Sequence, residues 1–296
     1  MPDPVLICAN NISLGVFGLP EEVKKEIQVK LSYYVPGFKY MPLYKQQLLI
    51  SKQTGKPPAW DGTKSCARRT TDGGLRIPSG LLSYVREVLE ARGIPWTIRD
   101  ERNAIAKSLG WSTEGLTLWD FQGPVKDKML SVGRGIVKMA TGAGKGPTTI
   151  AAIIEAAAFP AIFYVTSCDL LEQMHDMFAK YCRLDGKPVE IGRIGGGHCD
   201  IRPITVATVQ SCQMALEGKF DKFDDEDQGD DTVLDDRQKK DVQQFVKEAQ
   251  FAVCDEVQHS AADTIQAVMN NSFSARYRFG LSASPWRDDE IGRAHV

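Results

Sequence analysis

The sequence predicts an α/β protein: a parallel sheet with helices on both faces, preceded by a small α+β domain. Three observations predict it. From Leu116 onward strand-like and helix-like stretches alternate, and strands separated by helices are joined in parallel by crossovers on both faces. Residues 139–146 read M-A-T-G-A-G-K-G, a glycine-rich turn between an apolar stretch and a helical one. Far downstream, 251–259 read F-A-V-C-D-E-V-Q-H, an apolar strand ending in two carboxylates. Such sheets bind their ligands beyond the carboxyl ends of the strands, and both segments lie at such ends.

In chain order, Val5 to Ala9 is a short apolar strand, and Glu21 to Tyr33 has helical spacing with Val23, Ile27 and Leu31 on one face. Gln47 to Ser51 reads as a strand. Trp60-Asp61-Gly62 is a turn, and Asp72-Gly73-Gly74 is a hairpin signal between Lys64–Arg69 and Leu75–Ile77. Ser79 caps a helix carrying Leu81, Leu82, Val85, Val88 and Leu89, which ends at Gly93. Pro95 to Ile98 closes this front domain, set at residues 1–110, and the polar stretch Arg99 to Thr113 is the linker. The second domain, 111–296, has a helix from about Phe121 and strand Gly135–Met139, which feeds the glycine turn. Helix Pro147–Ala157, strand Ala161–Thr166 and helix Cys168–Tyr181 follow. Strands Ile204–Ala207, Phe251–Cys254 and Tyr277–Leu281 complete it.

Composition bounds the function. A 43% apolar and 25% charged chain of 296 residues is an ordinary globular protein. It has no run of about 18 apolar residues and no basic-then-apolar leader. Seven scattered cysteines without a C-x-x-C predict a reducing compartment, the cytoplasm, or the host cytoplasm for a viral protein. His198-Cys199 has no partners at metal-ligand spacing. Residues 1–110 carry sixteen Lys and Arg against ten Asp and Glu, a basic front suited to nucleic acid. Residues 217–236 carry ten acids against Lys219 and Lys222, and read as a solvated loop.

The two motifs describe one chemistry. Glycines 142 and 144 let backbone N–H groups turn inward toward phosphate oxygens, the following helix aims its positive end at them, and Lys145 neutralises their charge. Asp255 and Glu256 at a strand end suit a magnesium-linked carboxylate and a general base.

Beyond these, the order of motifs resembles the superfamily 2 helicases and translocases, whose motor is a RecA-like, P-loop NTPase fold. D-E-V-Q-H resembles their acidic box, and L-T-L-W-D-F-Q (116–122) their adenine-reading segment. Y-V-T-S-C-D-L-L-E-Q (164–173), I-G-G-G (194–197) and A-T-V-Q-S (207–211) resemble their nucleic-acid-contacting segments. G-L-S-A-S-P-W-R (280–287) resembles their coupling motif. The front, with W-D-G at 60–62 and G-L-L-S-Y-V-R-E-V-L-E-A-R-G at 80–93, is similar to the accessory domain of phage UvsW-type helicases, relatives of XPB-like repair motors. The resemblance implies an ATP- and Mg2+-dependent motor on single-stranded or branched DNA. It implies that Thr141, Gly142, Ala143, Gly144, Lys145 and Gly146 form the phosphate loop and that Gln122 reads adenine. Asp255 would hold magnesium through water, Glu256 would activate water, and Gln258 would sense the γ-phosphate. Ser282, Ala283 and Ser284 would couple that state to DNA. Thr166, Ser167, Gly196, Thr208 and Gln210 would touch the sugar-phosphate backbone.

In the front domain Arg68 and Arg69 are candidate phosphate contacts. Tyr33, Tyr34, Phe38, Tyr40 and Tyr44 either form that domain's core or, interleaved with Lys39 and Lys45, stack on unpaired bases. Two departures qualify the resemblance. The residue after Lys145 should be Thr or Ser, whose hydroxyl binds magnesium; here it is Gly146, followed by Pro147. Thr149, one helical turn on, is too far to replace that ligand directly. The second RecA-like domain of such motors is also absent from the chain, which predicts weak turnover and no translocation by these residues alone. The competing readings are a nucleotide-independent DNA-binding or annealing protein on the same fold, and a small-molecule kinase, which D-E-V-Q-H and S-A-S do not fit.

Overall fold

A computed structural model of the chain describes residues 4–35, 37–102, 104–105, 107–217, 232–257 and 262–284. The chain divides into two compact units between residues 102 and 103.

The first unit contains β1 (Val5–Ala9), β2 (Ser13–Phe17), α1 (Glu21–Lys30), β3 (Ser32–Tyr34), α2 (Pro42–Thr54), β4 (Thr63–Ser65), β5 (Arg68–Arg69), β6 (Leu75–Pro78), α3 (Leu82–Ala91) and β7 (Trp96–Asp100). Five strands form one sheet in the order β5-β6-β2-β1-β7, antiparallel except for the β1–β7 pair. The Asn10 carboxamide accepts the N–H groups of Ile12 and Ser13 at 2.8 and 2.7 Å and folds β2 back on β1. Val23 and Ile27 of α1 and Val85, Val88 and Leu89 of α3 pack with Ile7, Leu14, Val16, Leu75 and Ile77 into one core. The i, i+3, i+4 spacing of these helix residues puts them on one face.

Residues 32–65 stand outside that core. They pair β3 with β4 and hold α2, none of whose residues is buried. A helix period wins over the strand predicted at Gln47–Ser51: Pro42 at the helix start fixes φ, and Gly55 closes it in the left-handed region. The inner residues Tyr44, Gln47 and Ser51 recur at helical spacing. The rings of Tyr34, Phe38, Tyr44 and Trp60 form their own cluster, so the aromatics anchor this excursion and do not form the domain core. Gly62, at φ +92, lies beneath Phe38, and a Cβ there would meet the ring at 2.2 Å. Gly62→Ala is therefore expected to loosen α2 while sparing the five-stranded sheet. Amide exchange confined to residues 32–65 checks this, and exchange spread through β1 and β2 would refute it.

The second unit contains β8 (Trp111–Thr113), α4 (Gln122–Val132), β9 (Arg134–Lys138), α5 (Lys145–Ala156), β10 (Ala161–Val165), α6 (Cys168–Tyr181), β11 (Cys182–Leu184), β12 (Lys187–Pro188), β13 (Gly192–Gly195), β14 (His198–Asp200), β15 (Ile204–Thr208), α7 (Val209–Glu217), α8 (Asp236–Glu248), β16 (Phe251–Cys254), α9 (Ala262–Asn271) and β17 (Tyr277–Ser282). Its main sheet runs β14-β13-β15-β10-β16-β17-β9, parallel except for β14. β10, β15 and β16 are buried at every position, as a sheet covered on both sides requires. Alternation then sorts their residues. Phe163, Val165, Val206 and Val253 face α5 and α6 through Ile150, Ile153, Leu171 and Phe178. Ile162, Tyr164, Ala207 and Cys254 face α7, α8 and α9 through Cys212, Val242, Val246 and Val268. The predicted linker 99–113 instead includes the end of β7 and all of β8, which pairs with β11. Of the acidic stretch, Asp235 caps α8 through a capping box, and 218–231 lie outside the described residues.

Candidate nucleotide-binding site

The parallel strands end on one rim, and the predicted chemistry is gathered there. β9 runs into the turn 139–144, where Gly142 and Gly144 both sit at φ +79. Only glycine takes that conformation at little cost, and the turn closes with the Ala143 N–H donating to the Ala140 carbonyl at 3.0 Å just before α5. β16 leads directly into Asp255, whose N–H donates to the Tyr164 carbonyl at 2.9 Å. Lys145 spans the gap. Its Nζ donates to Glu256 Oε1, and Asp255 Oδ1 lies 3.8 Å away. Lys145 and Asp255 are each only 9% exposed. Glu256 holds φ +46, an uncommon value for a side-chain-bearing residue, and its N–H bonds the neighbouring Asp255 carboxylate at 2.9 Å. Burial pushes the Asp255 carboxyl up, against the opposing pull of the Lys145 charge.

Gln122 is buried and belongs to the same assembly. Its Nε2 donates to the Ala143 carbonyl at 2.8 Å, and its Oε1 accepts the Trp119 N–H at 2.9 Å. The predicted adenine reader is thus bonded to the glycine turn here. Beside it the rings of Trp119 and Phe121 lie 5.7 Å apart and are 58% and 48% exposed. Two large aromatics left in water next to the glycine turn suit the face of a base. Sequence reasoning did not single them out, although W-D-F within 116–122 was the available signal.

On the same rim, Thr166 and Ser167 follow β10, Gly196 follows β13, and Thr208 ends β15. Gly195, Gly196 and Gly197 all have positive φ, the last two are exposed, and the Gly197 N–H donates to the Thr232 hydroxyl at 2.9 Å. Three of the residues expected to touch the backbone have intramolecular partners here. Thr208 is fully buried, and its hydroxyl accepts the Ser211 N–H. Gln210 donates to the Thr166 carbonyl at 2.7 Å, tying two rim loops together. The Ser167 hydroxyl caps α6 by accepting the Leu170 N–H. Ser282 is buried, and its hydroxyl has no hydrogen-bond partner among the described residues; Ala283 and Ser284 follow it toward the surface. Gln258 lies outside the described residues. In the first unit Arg69 is already engaged, donating to Glu21 and Gln28, while Arg68 is exposed.

The donor set for magnesium is short of one ligand. Position 146 offers no side-chain oxygen, the Thr148 hydroxyl donates to the Gly144 carbonyl, and the Thr149 hydroxyl donates to the Lys145 carbonyl, each at 2.9 Å. The Asp255 and Glu256 carboxylates remain. Among the described residues no helix is long and apolar enough to cross a membrane.

Residues 105–287 match the family described as Type III restriction enzyme, res subunit. The chain is 29% identical over 174 residues to the DNA 3'-5' translocase XPB2 of Sulfurisphaera tokodaii, which covers 59% of this chain and 32% of that one, so the chain spans about a third of that relative's length. Two crystal structures of UvsW from bacteriophage T4 share the fold at 16% identity. One gives a TM-score of 0.62, with 96% of this chain and 93% of that chain covered. The other gives 0.64, with 95% and 53% covered. With well over half of its length in that match, the chain belongs to the Type III restriction enzyme res-subunit family.

Proposed function

We propose that the chain is the nucleotide-binding part of an ATP-dependent DNA helicase or translocase that remodels duplex or branched DNA. The observation that carries this reading is the buried convergence of Lys145 with Asp255 and Glu256 at the mouth of the glycine turn. Membership in the family implies ATP use. Lys145 exchanges its ion pair with Glu256 for the terminal phosphates of ATP, and the turn's N–H groups hold the others. The freed Glu256 carboxylate takes the proton of the attacking water. Asp255 is the carboxylate available to a hydrated Mg2+. Ser282, Ala283 and Ser284, one strand from Asp255, relay the change to the rim where Thr166 and Gly196 face the DNA backbone. Contacts of that kind position a strand without reading its sequence. A second RecA-like lobe, implied by the resemblance, would close over the nucleotide.

We assign DNA binding to the first unit chiefly through α2 and its flanks. Lys39, Lys45, Lys52 and Lys56 lie in a stretch, 32–60, that contains no acidic residue. Tyr40 there is 78% exposed and Leu49 62%. Charge reversal of Lys39, Lys45 and Lys52 is expected to weaken DNA binding. It is also expected to lower the salt slope by about 0.9 for each phosphate that the variant no longer neutralises. Fluorescence anisotropy over a salt series measures it, and an unchanged slope would move the DNA site elsewhere.

The central test is DNA-stimulated ATP hydrolysis, compared with Lys145→Ala. The second reading, nucleotide-independent DNA binding, is favoured by the missing hydroxyl at Gly146. DNA binding with no uptake of a fluorescent ATP analogue, with or without magnesium, would select it.

A further inference from the structure

Where the family resemblance expects a hydroxyl after the phosphate-loop lysine, this chain has more than a simple deletion. A Cβ built at Gly146 would lie 2.9 Å from Met177 Sδ, and 3.3 and 3.4 Å from Sδ and Cε of Met174. The first distance is shorter than side-chain carbons keep and the other two are tight, so a side chain at 146 requires these flexible thioether ends to shift from the seat they fill. Both methionines sit on the face of α6 turned toward α5, three residues apart. Met174 is buried and Met177 half-buried against the same core. Met is the side chain best able to fill an irregular gap of this kind.

Thioether sulfur is a poor ligand for magnesium, which takes oxygen donors in a strict octahedron. Apart from the Asp255 carboxylate, the neighbouring side-chain oxygens are already committed. The hydroxyls of Thr148 and Thr149 donate to helix carbonyls, the Gln122 carboxamide oxygen accepts the Trp119 N–H, and Glu256 is paired with Lys145. What this site retains in full is its apparatus for binding anions: a buried lysine, two left-handed glycines and a helix N-terminus.

We propose that the site binds the triphosphate without direct metal ligation by the phosphate loop, its affinity set by Lys145 and the turn amides and nearly independent of magnesium, with Met174 and Met177 as the residues that determine this. The inference rests on the nucleotide-binding reading above and deepens it. It makes metal-free and metal-bound nucleotide nearly equivalent ligands.

The test is titration of the full chain with a fluorescent ATP analogue in chelator and in millimolar magnesium. For the natural chain the two Kd values are expected to agree within about threefold, a small free-energy difference. Gly146→Ser combined with Met177→Ala restores a hydroxyl and clears the nearest sulfur, while Met174 keeps α5 against α6. This variant is expected to bind about tenfold more tightly in magnesium than in chelator. Met177→Ala alone, and Gly146→Ala with Met177→Ala, add space or a Cβ without an oxygen and are expected to stay insensitive to metal. Circular dichroism verifies that each variant is folded. Tenfold tightening by magnesium in the natural chain would overturn the proposal, as would a folded Gly146→Ser, Met177→Ala double variant that stays indifferent to the metal. Absence of binding in both buffers would remove the nucleotide reading itself, and this inference with it.

Discussion

Lys145→Ala is expected to remove triphosphate binding and all ATP turnover while leaving DNA binding by the first unit in place. The amine lies against Glu256 and 3.8 Å from Asp255 and is almost wholly out of water. A buried charge that meets phosphate there is worth far more than a surface lysine, because little solvent screens it. Truncating one member of a buried, hydrogen-bonded charge pair costs about 2–5 kcal/mol in binding, which is roughly thirtyfold to several-thousandfold in affinity. The same substitution leaves the buried Asp255 and the half-buried Glu256 as adjacent carboxylates without a counter-ion, so the second unit should also melt earlier. Measuring analogue binding and DNA binding on one preparation separates the two effects. Loss of both would report unfolding. Loss of analogue binding alone is the expected outcome, and an unchanged analogue Kd would refute the site.

The main sheet and its chemistry are legible in the sequence because both are written locally. Continuous apolar runs such as Ala161–Val165 and Phe251–Cys254 have no way to be solvated, and glycines 142 and 144 are demanded by a left-handed turn. What is not legible depends on partners distant in sequence. β8 exists because β11, some seventy residues later, completes it. β13 and β14 pair with each other around the triple glycine, a hairpin that no local pattern announces. Thr208 looks like a rim donor from its motif, but its burial follows from α7 starting at the next residue and needing its first N–H groups capped. The strand predicted at Gln47–Ser51 fails for the opposite reason. A run of apolar letters, Leu48 to Ile50, suggests burial, whereas the helix exposes all three. Met174 and Met177 carry no signal at all, since core methionines at helical spacing are commonplace and only the fold brings them to Gly146.

Asp255→Asn is expected to disable turnover and yet stabilise the empty protein, a pairing that a purely structural carboxylate would not give. Burial raises the Asp255 pKa above the ordinary carboxylate value despite Lys145 beside it. The folded state therefore holds a proton at this group more readily than the unfolded chain does. Its favourable contribution is fully present below the unfolded-state pKa and is lost as pH rises through the folded-state pKa. At neutral pH the ionised group thus weighs against folding. Asparagine keeps the shape and removes the charge, while Glu256 still pairs with Lys145. The variant should melt higher at neutral pH, with the advantage shrinking toward zero as the pH falls to about 4, where the unfolded carboxylate also protonates. A difference of ~2–4 °C corresponds to about 1 kcal/mol for a unit of this size, so melting curves resolve it. Turnover should fall by at least ~10², the scale on which positioned acid–base and charge-stabilising groups act. Glu256→Gln should lose turnover on the same scale but melt lower, because it breaks a buried ion pair in which Lys145 is the partner left behind. If both variants moved stability in the same direction, Asp255 would be a structural partner of Lys145 like its neighbour, and the division of labour between the two carboxylates would fail.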